Sequence, residues 1–202
     1  MFNKKGGNLR SSYIQNNYGP VFENTVKTFL PQRCVELGVL DGYSTLAIAR
    51  GIRTASILSA HLSHLHAYDL WDDYKYKHGR MEEVQKLLVE ARLSEFVTLY
   101  KKDAYEVYKD YEQESVCMLH VDISNDGDVL NKIMEQWHEK LSMGGMLLFE
   151  GGSVERDEIE WMKKYNKKPI KPVIESHEIL NKWYIYATYN AFPSLSVFIR
   201  KG

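Results

Sequence analysis

Val35-Glu36-Leu37-Gly38-Val39-Leu40-Asp41-Gly42-Tyr43-Ser44-Thr45 runs from an apolar strand pattern through a Glu-x-Gly-x-x-x-Gly turn straight into a helical pattern. Glycines at 38 and 42 admit positive φ and let the backbone approach a ligand closely. The helix that follows opens with amide groups that have no intrahelical partner. A strand, glycine turn and helix in this order make the backbone itself a cofactor-binding surface.

The spacing discriminates among cofactors. A dinucleotide loop wants Gly-x-Gly-x-x-Gly, with small residues where pyrophosphate meets the helix start. Val39 breaks that pattern and argues against a nicotinamide oxidoreductase. Glu36, just before the first glycine, would repel a pyrophosphate but suits a sulfonium or an α-ammonium group. S-adenosylmethionine carries both.

The rest of the chain agrees with a small-molecule enzyme. Its 202 residues, 44% hydrophobic and 26% charged, suffice for one well-cored domain. Lys+Arg at 26 against Asp+Glu at 27 give a net charge of -1, so no global field draws the protein to nucleic acid or an anionic membrane. Met1 to Arg10 is polar, unlike a signal peptide, and no segment reaches membrane-spanning length; a cytoplasmic protein is expected. Cys34 and Cys117 fall in strand candidates without metal-ligand spacing and read as buried thiols.

Periodicity predicts a helix over 21–30, then strands over 34–37, 65–68, 96–100, 116–121 and 146–149. Helices are expected from Ser44 to before Ser63, over 82–91, and along Val129, Leu130, Ile133, Met134, Trp137 and Leu141, the last closed by Gly144-Gly145. Ser153 reads as the N-cap of a helix running to about Tyr165, and 183–188 with 195–200 as an aromatic-rich hairpin. Alternating β and α elements predict an α/β fold: a doubly wound, mostly parallel seven-stranded sheet with a C-terminal antiparallel hairpin. The single domain 1–202 divides into an N-terminal helical extension (1–33), a cofactor-binding core (34–150), and a C-terminal helix and hairpin (151–202).

Ligands of such sheets bind beyond the carboxyl ends of the strands. Glu36, Asp69, Asp103, Asp122 and Glu150 are all predicted there. A carboxylate in the place of Asp69 can accept from both hydroxyls of a ribose. Asp103 can accept from an adenine amino group, with the Ala104 amide beside it as donor. A solvated loop acid or a helix N-cap is the ordinary fate of any one of these residues.

These residues resemble the class I S-adenosylmethionine-dependent methyltransferases, over most of Cys34 to Ser153. Glu36-Leu-Gly38-Val-Leu-Asp-Gly42-Tyr-Ser44 is similar to their first motif, Asp69 to their ribose-binding acid, and Leu141-Ser-Met-Gly-Gly145 to the turn before strand five. Ala67-Tyr-Asp-Leu-Trp71 and His120-Val-Asp122 look closest to small bacterial O-methyltransferases of natural-product and sugar pathways, of the macrocin type. The resemblance implies that Glu36, Gly38, Gly42 and Ser44 hold the methionine end, Asp69 and Leu70 the ribose, and Asp103 and Ala104 the adenine.

On the acceptor side Asp122 and Glu150 are expected to act, either as ligands of Mg2+ or as groups that orient and deprotonate a hydroxyl. Two departures bear on this. Asn125 stands where some relatives carry a histidine base, and strand five ends in Glu150-Gly151 instead of a paired acid. His120, two residues before Asp122, is a further candidate base, although a histidine in an apolar strand is commonly a satisfied core residue. Trp71 to Gly79 is expected to cover the site as a lid, or else to be a surface loop anchored by Trp71.

The expected partner is a small hydroxylated acceptor, with a homo-oligomer left open. The lysines at 163, 164, 167, 168 and 171 raise an RNA acceptor, but they lack interleaved aromatics and nucleic acid is not expected. A cofactor-binding module without transfer chemistry is the alternative of a different class.

Overall fold

A computed structural model describes residues 9–60 and 62–202. Helix α1 (Gly19–Phe29) leads into strand β1 (Arg33–Leu37), and the glycine turn passes into α2 (Tyr43–Ser59). There follow β2 (His64–Asp69), α3 (Met81–Glu90), β3 (Val97–Lys101), the short α4 (Ala104–Val107), β4 (Val116–Val121), α5 (Gly127–Trp137) and β5 (Leu141–Glu150). The chain ends with α6 (Val154–Asp157), α7 (Glu160–Lys164), α8 (Ile170–Ser176), α9 (Glu178–Trp183), β6 (Tyr184–Tyr189) and β7 (Leu195–Arg200).

The seven strands form one sheet in the order β3-β2-β1-β4-β5-β7-β6. Strands β1 to β5 are parallel, and β7 runs antiparallel to both β5 and β6. The order reverses between β1 and β4, so their carboxyl ends flank the switch point where such sheets open a crevice. Apolar side chains fill both faces. One face packs Phe22, Ile48, Ile52 and Leu88 of the first three helices, and the other packs Ile133, Trp137, Ile174 and Leu180 of the later ones. Burial on both sides explains why β4 reads as an unbroken apolar run.

Three expectations are corrected. Helix α5 ends at Trp137, and Leu141 starts β5 instead of completing a helical face. The pairing of β4 with β5 jumps from Val116↔Leu141 to Met118↔Met146, so the Gly144-Gly145 pair serves an irregularity inside a strand and not a helix stop. Ser153 does cap a helix, its Oγ accepting from the Arg156 amide at 3.2 Å, but the expected single helix is two short ones, broken at the extended Ile159. Helices α8 and α9 were not anticipated at all. Pro172 sits in the first turn of α8, where no intrahelical donor is required, and so does not break it.

Candidate active site

Gly38 leaves β1 at φ 91°, and a Cβ there would stand 2.4 Å from the carbonyl oxygen of Asp122. Only glycine lets the β1 turn pass this close to the end of β4. Gly42 then caps α2, and the turn is fixed from the neighbouring strand: Asp69 Oδ2 accepts from the amides of Val39 (2.8 Å) and Leu40 (3.0 Å), and Oδ1 from that of Trp71 (2.9 Å). Three of the roughly four acceptor positions of this carboxylate are thus taken by backbone, which leaves room for one further hydroxyl.

A cavity of about 660 Å³ opens above this turn. Its wall brings together most of the residues singled out from sequence: Gly38, Ser44, Asp69, Leu70, Asp103, Ala104, Asp122 and Glu150. Asp103 is also the N-cap of α4, accepting from the Tyr105 amide at 2.9 Å. A second hollow, of about 730 Å³, lies at the opposite ends of the strands beside Arg33, His64, Glu95 and Cys117. It has no glycine turn or helix start directed into it.

Glu36, Gly42 and His120 stand behind the wall. Glu36 is completely buried; its Oε1 accepts from the Ser44 hydroxyl and its Oε2 from the Thr45 hydroxyl, both at 2.6 Å. His120 Nδ1 lies 3.1 Å from Glu36 Oε1 and its Nε2 3.2 Å from the Tyr13 hydroxyl. The complementary assignment has Nδ1 donating to Glu36 and the phenol donating to Nε2. Burial, reinforced by the nearby carboxylates, raises the Tyr13 phenol well above its ordinary range, in keeping with a donor role. The network ties the N-terminal segment through β4 and β1 to the start of α2.

The carboxyls of Asp122 and Glu150 are held differently. Glu150 is buried, and it accepts from Ser12 Oγ (3.0 Å) through Oε2 and from Asn125 Nδ2 (2.8 Å) through Oε1. The Arg156 guanidinium lies 3.6 Å from Oε1. Asp122 is pushed well above the usual carboxylate range, first by burial and then by the nearby Glu150 carboxylate; Arg156 opposes the shift.

Magnesium fits this arrangement poorly. Glu150 is already occupied by two donors and flanked by a cation. Among the described residues, no group of three or more His, Cys, Asp or Glu side chains is disposed around a common point.

Two segments that sequence did not connect to the site close it. Arg10 makes a paired contact with Asp41 at 2.7 and 2.8 Å and donates to the His78 carbonyl at 2.9 Å, so the segment from Arg10 to Tyr13 straps the glycine turn to the 71–79 loop. In that loop Trp71 is buried with its indole N–H on the Tyr100 carbonyl, while Tyr74, Lys77 and His78 line the cavity. Both expectations for the loop therefore describe part of it. Arg156 and Trp161, from α6 and α7, complete the far wall. Within the lysine cluster, Lys167 pairs with Asp126 (3.2 Å), Lys168 with Asp128 (3.0 Å) and Lys171 with Glu175.

The described residues contain no helix long and apolar enough to cross a membrane. A comparison with curated protein sequences gives no significant match. Similar solved structures include the O-methyltransferase TomG from Streptomyces achromogenes in complex with SAM (TM-score 0.68, 15% identity, 97% of this chain and 83% of that one). Others are the SAH-bound methyltransferase PaMTH1 of Podospora anserina (0.69, 17%, 96% and 80%) and an O-methyltransferase from Bacillus cereus in complex with SAH (0.67, 14%, 96% and 84%). At these identities the likeness establishes the fold. The sequence of residues 35–150, from the first residue of the glycine motif to the last residue of β5, matches the family model Methyltransf_24, a methyltransferase domain, and the chain belongs to that family.

Proposed function

We propose that the protein is an S-adenosylmethionine-dependent O-methyltransferase acting on a small hydroxylated acceptor. The observation that carries this reading is the meeting of the glycine turn and the Asp122–Glu150 pair in one cavity: a cofactor cradle and a proton-accepting group side by side. The cofactor, when bound, supplies an electrophilic methyl group on sulfur. The close-packed turn at Gly38 and the Ser44 hydroxyl, held in place by Glu36, would receive its methionine end; Asp69 and Leu70 would take the ribose, and Asp103 and Ala104 the adenine.

On the other side of the cavity, Asp122 accepts the proton of the acceptor hydroxyl. A base is most effective when its pKa lies near the operating pH, and an aspartate raised by burial and a second carboxylate moves in that direction. Glu150, fixed by Ser12, Asn125 and Arg156, orients Asp122 and sets its proton affinity. His120 cannot share this task from its buried position, and its role is to support Glu36. The free thiols at Cys34 and Cys117 support a reducing, cytoplasmic location.

Asp122→Asn tests the reading. It should lower kcat by about 10²- to 10⁴-fold, the range for loss of a general base, while S-adenosylhomocysteine still binds. Full turnover in the variant would reject the assignment.

A further inference from the structure

Arg156 has an unusual environment for an arginine. It is 6% exposed, and its guanidinium lies between the rings of Trp161 and Phe192, with its central carbon 5.7 and 5.6 Å from their centroids. Its position is fixed from both sides. Gly152 turns the chain at φ 104°, where a Cβ would meet Ser196 Oγ at 2.2 Å, and Asp157 anchors α6 by accepting from the amides of Ile170 (2.9 Å) and Lys171 (2.8 Å).

Its hydrogen-bonding capacity is largely unused. Nη2 is 3.6 Å from Glu150, beyond hydrogen-bond reach, and Nε and Nη1 have no partner among the described residues. A guanidinium cannot shed its charge to relieve this, and unmatched buried donors are costly. The cavity's other cations differ: Arg10 is held by Asp41, Lys102 by Asp110 and Lys167 by Asp126, while Lys77 lies on the cofactor side near Asp41. Arg156 is therefore the cavity cation, on the side of Asp122 and Glu150, with donors to offer.

We propose that Arg156 recognises a carboxylate on the methyl acceptor, so that the substrate is a hydroxylated organic acid. This rests on the methyltransferase reading and deepens it. The guanidinium is planar and matches a carboxylate, and Trp161, 40% exposed on the same wall, offers a face for the body of the molecule. Arg156 is a specificity residue in this scheme, not a participant in proton transfer.

The test is a 15N NMR titration of the protein saturated with S-adenosylhomocysteine. The Arg156 Nε–H signal is identified by its loss in Arg156→Lys. Benzoate is expected to move this signal saturably and benzamide to leave it in place. Arg156→Met should weaken benzoate binding by about tenfold or more while changing S-adenosylhomocysteine affinity by less than about twofold. Equal responses to benzoate and benzamide, or no response to either, overturn the proposal. So does tighter binding of inorganic phosphate than of benzoate, which assigns the site to a phosphorylated acceptor. The wild-type titration alone decides these outcomes if the methionine variant fails to fold. Loss of the underlying reading is distinguishable, because the wild type would then bind no S-adenosylhomocysteine.

Discussion

Two carboxyl groups that meet in a buried wall make Asp122 answerable to pH. The proposed proton transfer needs its ionised form, so kcat should rise with pH through a value well above the ordinary aspartate range. The neighbours that set this value are Glu150 and Glu36, which raise it, and Arg156, which lowers it. Glu150→Gln removes the largest charge contribution, and the acidic limb of the pH–rate profile should move to lower pH; an unmoved limb would exclude the coupling. The same shift has a cost in stability. An acid whose folded pKa is raised contributes fully only below its unfolded value, and the contribution is lost as pH rises through the folded one. Asp122→Asn should therefore raise Tm at neutral pH, by about 2–4 °C for each kcal/mol relieved, even as it lowers kcat. Gly38→Ala acts in the opposite direction. A Cβ at φ 91° pressed against the Asp122 carbonyl should cost on the order of 1–3 kcal/mol and lower Tm accordingly.

At the scale of elements, the N-terminal segment and β4 are joined through Tyr13 and His120, and the strap and the glycine turn through Arg10 and Asp41. These joints should behave differently. Tyr13→Phe leaves a buried imidazole nitrogen without its donor and should destabilise by about 1–3 kcal/mol. Arg10→Ala removes a half-exposed ion pair worth at most about 1 kcal/mol, so Tm should barely change. Amide exchange of the strap should nonetheless accelerate in that variant, because Arg10 also carries the link to the His78 carbonyl. Unchanged exchange over residues 9–18 would remove the strap from the account. The parallel strands and α2 were legible in sequence because their apolar runs and glycine punctuation are local signals. Helices α8 and α9 were not. Both are short, and α8 bears Pro172 and depends on a distant group, the Asp157 carboxylate that receives the amides of Ile170 and Lys171.

Across the whole molecule, the switch in strand order gathers residues from the ends of β1, β2, β4 and β5 into one cavity, together with Asp103 after β3. That gathering explains which parts of the site sequence reasoning reached. Residues at strand ends, such as Asp69, Asp122 and Glu150, follow from the topology once the strands are placed. Ser12 and Arg156, far from those positions in sequence or beyond the glycine turn, arrive by tertiary packing alone. Asn125 was noticed only as the substitute for a histidine, yet it holds Glu150 at 2.8 Å. Glu36 was read as a ligand-facing acid, and its complete burial under Ser44 and Thr45 instead makes it a support of the helix start. The central claim is that this cavity holds S-adenosylmethionine on the turn built around Gly38. Isothermal titration of S-adenosylhomocysteine into the wild type and a folded Gly38→Ala variant tests it most directly. The account predicts saturable single-site binding that is lost in the variant, and a folded wild type that gives no binding heat at two temperatures would contradict it.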